Sequence, residues 1–224
     1  MRQLKNHENL VSECWIAEGS DLARQARHDG NFQEAGQRAG NDAHAKLGGR
    51  PKADLTVHGG VTKAVYVYPS EHYGYWRTEL PGADLRWGMF GENFTTEGLL
   101  EEAIYIGDRF GIGESEVMVT EPRMPCYKLG IKFGRADIIK RFLASRRTGF
   151  YFAVVRQGRV VTGDAIKLIG QEQQDISVAD ITRLYAFEKN DLKGLRRAIG
   201  VDSLPESWKG YFQHQLDKQI GQFQ

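Results

Sequence analysis

The sequence is poor in cysteine and has no long apolar run. These two features exclude disulfide-rich proteins and proteins with a transmembrane helix. Only two cysteines, Cys14 and Cys126, occur among 224 residues, which is too few for a disulfide framework. The longest unbroken apolar run covers residues 150–155, whereas a transmembrane helix needs about 20 such residues. The first residues also lack the apolar stretch of a secretory signal. We therefore expect a cytoplasmic protein with no membrane partner.

Several common catalytic and binding motifs are missing as well. The sequence has no CxxC or HExxH pattern, so a self-contained zinc site is not expected. It has neither GxxxxGK[ST] nor GxGxxG, which excludes the standard nucleotide-binding loops, and no GxSxG nucleophile elbow. Any chemistry must therefore come from residues that the fold brings together.

Charge is unevenly distributed along the chain, although the net charge is only +1. Residues 122–160 contain ten basic and one acidic side chain, whereas residues 51–121 contain five basic and twelve acidic ones. A basic cluster of this kind either faces an anionic ligand or forms a solvated surface. Because aromatic residues are interspersed in it, a nucleic-acid-binding module is an alternative from another functional class, but a disfavoured one.

Three regions differ in their patterning. Residues 1–50 contain few large apolar side chains and no strand pattern, so we expect an atypical, poorly ordered segment that adds no strand to the main fold. Residues 51–170 contain many short β-branched and aromatic stretches separated by glycine turns, which predicts a mainly β domain, a barrel or a sandwich. Over residues 175–221 the caps Ser177, Asn190 and Ser203 predict three short helices. This appended segment makes a homodimer plausible.

The strongest candidate for chemistry is Cys126. Pro122 and Pro125 restrict the backbone around it and predict a stiff, extended loop that follows a strand. The neighbouring Arg123 and Lys128 favour the thiolate form, which is both a nucleophile and a soft metal ligand. A buried structural cysteine remains the alternative.

Three further segments contain candidate binding residues. His58 precedes two glycines, where backbone can approach a ligand closely, and Lys63 follows soon after. Asn93 and Thr95 lie in a glycine-flanked loop whose amide and hydroxyl groups could hold a heteroaromatic ring or a phosphate. Arg147 and Thr148, beside Gly149, suit an anionic group. For each segment an ordinary structural role is the alternative.

Five segments of the sequence form a recognisable set in this order: ADLTVHGGVTKAVYVYPSEHYGYW, GMFGENFTTEGL, IGDRFGIG, PRMPCYKL and RTGFYFAVVRQGRVVTGD. Taken together, they resemble the MOSC domain, which is named for the C-terminal domain of molybdenum cofactor sulfurase. Within that family the chain most resembles the bacterial 6-N-hydroxylaminopurine resistance proteins, in which a MOSC β-barrel precedes three helices. The resemblance covers about residues 52–217.

This resemblance implies a molybdopterin-type molybdenum cofactor and the reduction of N-hydroxylated bases, with electrons from a separate flavoprotein. Cys126 would ligate molybdenum, and His58 or Lys63 would supply protons. The cofactor would be bound by a set of polar and cationic residues, namely Asn93, Thr95, Arg123, Lys128, Arg147 and Thr148.

An alternative role for Cys126 is to carry sulfur as a persulfide in molybdenum cofactor metabolism. The chain is too short to be a pyridoxal-phosphate-dependent desulfurase itself, so that cofactor is not expected.

Overall fold

The computed structural model describes residues 12–16, 44–47, 61–172 and 176–221, and every structural statement below concerns these residues. They form nine strands and six α-helices. The strands are β1 (Ser12–Ile16), β2 (His44–Leu47), β3 (Val65–Pro69), β4 (Phe94–Thr96), β5 (Arg109–Ile112), β6 (Ser115–Pro122), β7 (Phe150–Arg156), β8 (Gly158–Val161) and β9 (Ala165–Gly170). The helices are α1 (His72–Glu79), α2 (Tyr127–Phe133), α3 (Ile138–Ser145), α4 (Val178–Ala186), α5 (Leu192–Ile199) and α6 (Glu206–Gly221).

Seven of the strands form a closed barrel in the order β1-β4-β3-β7-β6-β5-β9. All of its neighbouring strands are antiparallel except β3 and β4, which are parallel and are connected through α1. β2 and β8 form a separate antiparallel pair. The predicted β-barrel with a few helices is confirmed.

The barrel wall has two buried faces, and β3 shows why. Val65 and Val67 belong to the core inside the barrel, whereas Tyr66 and Tyr68 belong to a second cluster on the outer face. This follows from the two-residue period of a strand. The second cluster, which we call the aromatic cluster, joins the outer face to α1, α2 and α3. Its buried members are Tyr66, Tyr68, Tyr73, Trp76, Leu80, Leu85, Phe90, Leu129, Ile138 and Phe142.

The three C-terminal helices pack against the barrel and extend its core. Ser177 caps α4 through a capping box with Asp180, as the sequence predicts. For α5 the predicted cap, Asn190, is wrong, because Asp191 accepts the hydrogen bond from the Gly194 amide. The helices contribute buried apolar residues to the same cluster as the barrel, so the two regions share one continuous core.

The expectation that residues 1–50 add no strand to the barrel is wrong. β1 pairs with β4 through Cys14 and Thr96, and with β9 through Ser12 and Ile166, and these pairings close the barrel. A strand this short forms through pairing with its two neighbours, a tertiary contact that local composition does not encode. Apart from β1 and β2, residues 1–50 lie outside the described residues.

Within the described residues, no helix is both long enough and apolar enough to cross a membrane.

Candidate functional site

Cys126 lies between the end of β6 and the start of α2. It is half-buried, it forms no disulfide, and its backbone is extended, with φ −124° and ψ 173°, immediately before the helix. The Arg123 amide donates to the Gly149 carbonyl (3.1 Å), which ties the loop to the chain entering β7. The extended loop after a strand that the two prolines predict is therefore present.

Arg123 is a buried cation that lies against aromatic rings. Only 8% of the residue is exposed, and its guanidinium carbon lies 5.0 Å from the centre of the Tyr66 ring and 5.1 Å from that of Phe142. Its Nη1 atom is buried and has no hydrogen-bond partner within the described part of the chain. Burying a charge without a full set of partners is costly, so this arrangement favours an anion as the missing partner.

Tyr151 connects Arg123 to Cys126. Burial raises the pKa of the Tyr151 hydroxyl, and the nearby Arg123 guanidinium opposes that rise. Negative charge on Glu121 or on Cys126 raises the same pKa further. Glu121 is the register partner of Tyr151, and the Tyr66 ring that contacts Arg123 lies 5.4 Å from the Tyr151 ring, so these groups share one neighbourhood beside the Cys126 loop.

Lys63 reaches this neighbourhood from the short 3-10 helix Val61–Lys63. Its Nζ atom lies 3.3 Å from Oε2 of the buried Glu121 and 6.0 Å from the centre of the Tyr151 ring. The same Oε2 accepts a hydrogen bond of 2.7 Å from Nε1 of Trp208 in α6. Lys63, whose side chain is about one-third exposed, is thus held by the Glu121 carboxylate, and Trp208 of α6 fixes that carboxylate in place.

The glycine-flanked loop before β4 contains a second buried polar group, Glu92. Its Oε1 atom accepts hydrogen bonds from the Tyr73 hydroxyl, the Gly88 amide (2.8 Å) and Thr95 Oγ1 (3.3 Å). Its Oε2 atom is buried without a partner among the described residues. Burial is the main reason that the pKa of this carboxyl is raised.

Comparison with known proteins identifies the family. The MOSC domain family matches residues 54–167, and the YiiM-like 3-alpha helix domain matches residues 176–219. The chain belongs to the MOSC family. The barrel and its three appended helices are therefore the two parts that these families describe, and the site above lies within the MOSC match except for Trp208.

Relatives support the same assignment. The Bacillus subtilis protein YflK is 39% identical over 170 residues, which are 76% of each chain. Escherichia coli YiiM is 34% identical over 164 residues, 72% of this chain and 73% of YiiM. The crystal structure of E. coli YiiM superposes with a TM-score of 0.72 over 94% of both chains, at 26% identity.

A more distant relative has a name that includes an activity. A Gibberella moniliformis protein named "Reductase" is 32% identical over 161 residues, which are 70% of this MOSC chain and 27% of that protein.

The fold brings together three of the predicted site residues, Lys63, Arg123 and Cys126, around Tyr151. Lys128 is exposed on α2. His58 lies outside the described residues. Whether these residues bind a cofactor remains a prediction.

The other predicted residues make contacts that stabilise the fold. The backbone N–H of Asn93 donates to the Tyr66 carbonyl (2.8 Å), and its side-chain Oδ1 accepts from the Tyr66 backbone N–H (2.8 Å), so Asn93 fixes the loop before β4 to β3. Arg147 stacks 4.1 Å from the Tyr75 ring centre. Thr148 is fully buried, and its carbonyl accepts from the Tyr66 hydroxyl (2.9 Å).

Much of the basic segment 122–160 is already neutralised or stacked. Arg135 pairs with Asp137 (2.8 Å), and Arg141 pairs with Glu79 (2.6 Å). Arg146 lies 4.4 Å from the Phe187 ring centre. The cationic side chains of this segment therefore make separate contacts and do not form one basic patch. Arg123 is the one among them that is buried.

Sequence reasoning did not identify Tyr151, Glu121 or Trp208 as site residues. Tyr151 had a weak signal, because it is the polar-tipped aromatic between Phe150 and Phe152 in an alternating strand. The sequence contained no signal for Glu121 or Trp208, because these two residues are 87 positions apart and are brought into contact only by the fold.

The residues around Cys126 fit an anionic, thiolate-ligated cofactor better than a metal ion held by the protein alone. Among the described residues, no group of three or more His, Cys, Asp or Glu side chains could hold a metal ion. A single soft ligand beside a buried, incompletely paired arginine instead suits a metal that arrives with its own anionic ligands.

Proposed function

We propose that this MOSC protein binds a molybdopterin-type molybdenum cofactor at Cys126 and reduces N-hydroxylated bases such as 6-N-hydroxylaminopurine. The observation that carries the proposal is the buried Arg123 guanidinium, whose Nη1 atom lacks a partner among the described residues, beside the half-buried thiol. The name of the Gibberella relative agrees with the reaction class. When bound, the cofactor supplies the two-electron chemistry.

The chain's own residues would bind the anion and handle protons. Arg123 would neutralise an anionic group of the cofactor, and Cys126 would ligate molybdenum. Lys128 is exposed nearby on α2 and could approach a phosphate from the solvent side.

The reaction requires protons as well as electrons. Reduction of R–NH–OH by two electrons and two protons breaks the N–O bond and yields R–NH2 and water. Lys63 is the candidate donor to the departing oxygen, because its ammonium is held 3.3 Å from Glu121 and remains about one-third exposed. A separate flavoprotein would supply the electrons.

The proposal is tested by following the formation of adenine from 6-N-hydroxylaminopurine with a flavoprotein reductase and its nicotinamide donor. Protein from a host with an intact molybdopterin pathway should form adenine, and protein from a host that lacks the pathway should not. Lys63→Met should lower kcat by about 100-fold, while the exposed Lys140→Met should not. Absence of adenine with metal-loaded protein would refute the reaction.

Cys126 also supports a second candidate, a sulfur carrier, because a half-buried free thiol can be loaded and unloaded. In that case, mass spectrometry of the purified protein should find a persulfide on Cys126 and no molybdenum.

A further inference from the structure

A small pocket lies between the Cys126 loop and the C-terminal helices. It has a volume of about 150 Å³ and is lined by Met124, Tyr185, Ser207, Trp208 and Tyr211. Three of its five lining residues are aromatic, and none carries a formal charge at neutral pH. The pocket lies outside the group of side chains around Tyr151 and has no role in binding the cofactor as proposed above.

The aromatic walls are held in fixed orientations. The Tyr185 ring centre lies 5.3 Å from that of Trp208 at 69° and 5.1 Å from that of Tyr211 at 46°. Phe212 packs against both Trp208 and Tyr211. The indole nitrogen of Trp208 is fixed by its hydrogen bond to Glu121. The rings are therefore positioned before any ligand arrives, which lowers the entropic cost of binding.

Two connections join the pocket to the candidate site. Met124 is two residues before Cys126, so their Cα atoms are at most about 7 Å apart. Trp208 also contacts Glu121, which holds Lys63. A molecule in the pocket would therefore lie next to the thiol loop and would share a wall residue with the network that holds the candidate proton donor.

The composition of the pocket selects for a flat, uncharged ring. Aromatic side chains offer π faces for stacking, and the thioether of Met124 adds a polarisable contact. The Ser207 hydroxyl can hydrogen bond to the edge of a heterocycle. The volume is smaller than that of typical pockets for drug-sized ligands, of roughly 300 to 1,000 Å³, which suits a single ring system.

We propose that this pocket binds the planar heteroaromatic ring of the substrate and orients its N-hydroxylated group toward the Cys126 loop. The choice of a purine-type ring rests on the proposed function, whereas the existence of an aromatic subsite rests on the pocket alone. The C-terminal helices would then contribute directly to substrate binding.

The test uses metal-free full-length protein, so that it is independent of turnover. Calorimetry should detect binding of both adenine and 6-N-hydroxylaminopurine, and no binding of the non-planar anion ribose 5-phosphate. Tyr211→Leu should weaken the Kd for adenine by about 3- to 10-fold, because it removes one stacking wall. Phe187→Leu is the control, since Phe187 is an exposed aromatic residue outside the pocket.

The results separate this proposal from the proposed reaction. Ring binding that Tyr211→Leu weakens supports the subsite even if the loaded protein reduces nothing. Failure of the wild-type protein to bind either base, or equal Kd values for wild type and Tyr211→Leu, overturns the subsite even if reduction occurs. In an active enzyme the same substitution should lower kcat/KM by at least the factor by which it weakens ring binding.

Discussion

At the scale of single residues, the proposed cofactor site depends most on Arg123. Its guanidinium is buried against Tyr66 and Phe142, and one of its nitrogens has no partner among the described residues. A buried charge of this kind contributes little to stability or lowers it, because desolvation offsets the attractions that it makes. Its benefit should therefore emerge only when an anion is bound.

We predict that Arg123→Met lowers cofactor content strongly, while the metal-free variant unfolds with a free energy within about 1 kcal/mol of wild type or higher. Arg141→Met is the matched control, because Arg141 lies in the same basic segment but pairs with Glu79 and Asp137. Cofactor content and urea unfolding of both variants provide the measurement. Full cofactor retention by Arg123→Met would contradict the assignment.

Glu92 should make stability depend on pH. Burial raises the pKa of its carboxyl above 4.5, so the folded state retains this proton at pH values where the unfolded state has released it. The stability that the carboxyl contributes is therefore complete below about pH 4.5 and is lost as pH rises through the higher folded-state pKa.

We predict that the unfolding free energy of wild type, measured relative to that of Glu92→Gln, falls as pH rises from 4.5 toward neutrality. The amide introduced by this substitution can still accept hydrogen bonds but cannot ionise. Glu97→Gln is the control, because Glu97 is exposed. A difference between wild type and Glu92→Gln that does not change with pH would show that this carboxyl keeps an ordinary pKa in the folded state.

At the scale of elements, the connection from α3 to β7 requires a glycine. Gly149 has φ +65°, and a Cβ atom there would overlap the Val67 carbonyl oxygen and lie 2.9 Å from carbons of the Tyr66 and Tyr68 rings. Its amide donates to the buried Glu101 (2.7 Å), and its carbonyl accepts from the Arg123 amide. Gly149 therefore allows its own segment to pack closely against β3 and against the segment that carries Arg123.

We predict that Gly149→Ala destabilises the protein by about 3 kcal/mol or more, because it adds steric overlap to an unfavourable backbone conformation. Gly134→Ala is the matched control: Gly134 has φ +62°, and a Cβ atom there would meet nothing within 4 Å, so its cost should be about 1 kcal/mol. Urea unfolding measures both. Equal losses of unfolding free energy in the two variants would mean that close packing at Gly149 does not contribute to stability.

The elements differ in how far the sequence predicts them. The three C-terminal helices have an apolar period that is local, so their existence was predictable, although the α5 cap was misplaced by one residue and α6 begins at Glu206, three residues after the predicted cap Ser203. α2 was not predicted: it is seven residues long and contains Gly130, and it buries only Leu129. β1 was not predicted either, because its pairing with β4 and β9 is a tertiary contact.

At the scale of the whole molecule, the site lies where the barrel and the C-terminal helices meet. Cys126 and Arg123 could be selected from the sequence because prolines and charge concentrate there. The partners that give the site its form, Tyr151 and Glu121, could not be selected, because the register of β6 and β7 and a contact from α6 bring them together. Sequence thus predicts the reactive residue, and folding determines its environment.

The molybdenum content of protein purified from a host with an intact molybdopterin pathway tests directly whether Cys126 holds the cofactor. We predict about one molybdenum per chain in wild type and in Cys14→Ala, and loss of the metal in Cys126→Ala, because a single thiolate is the proposed ligand. Wild type without molybdenum, or Cys126→Ala with a full complement of it, would contradict the account.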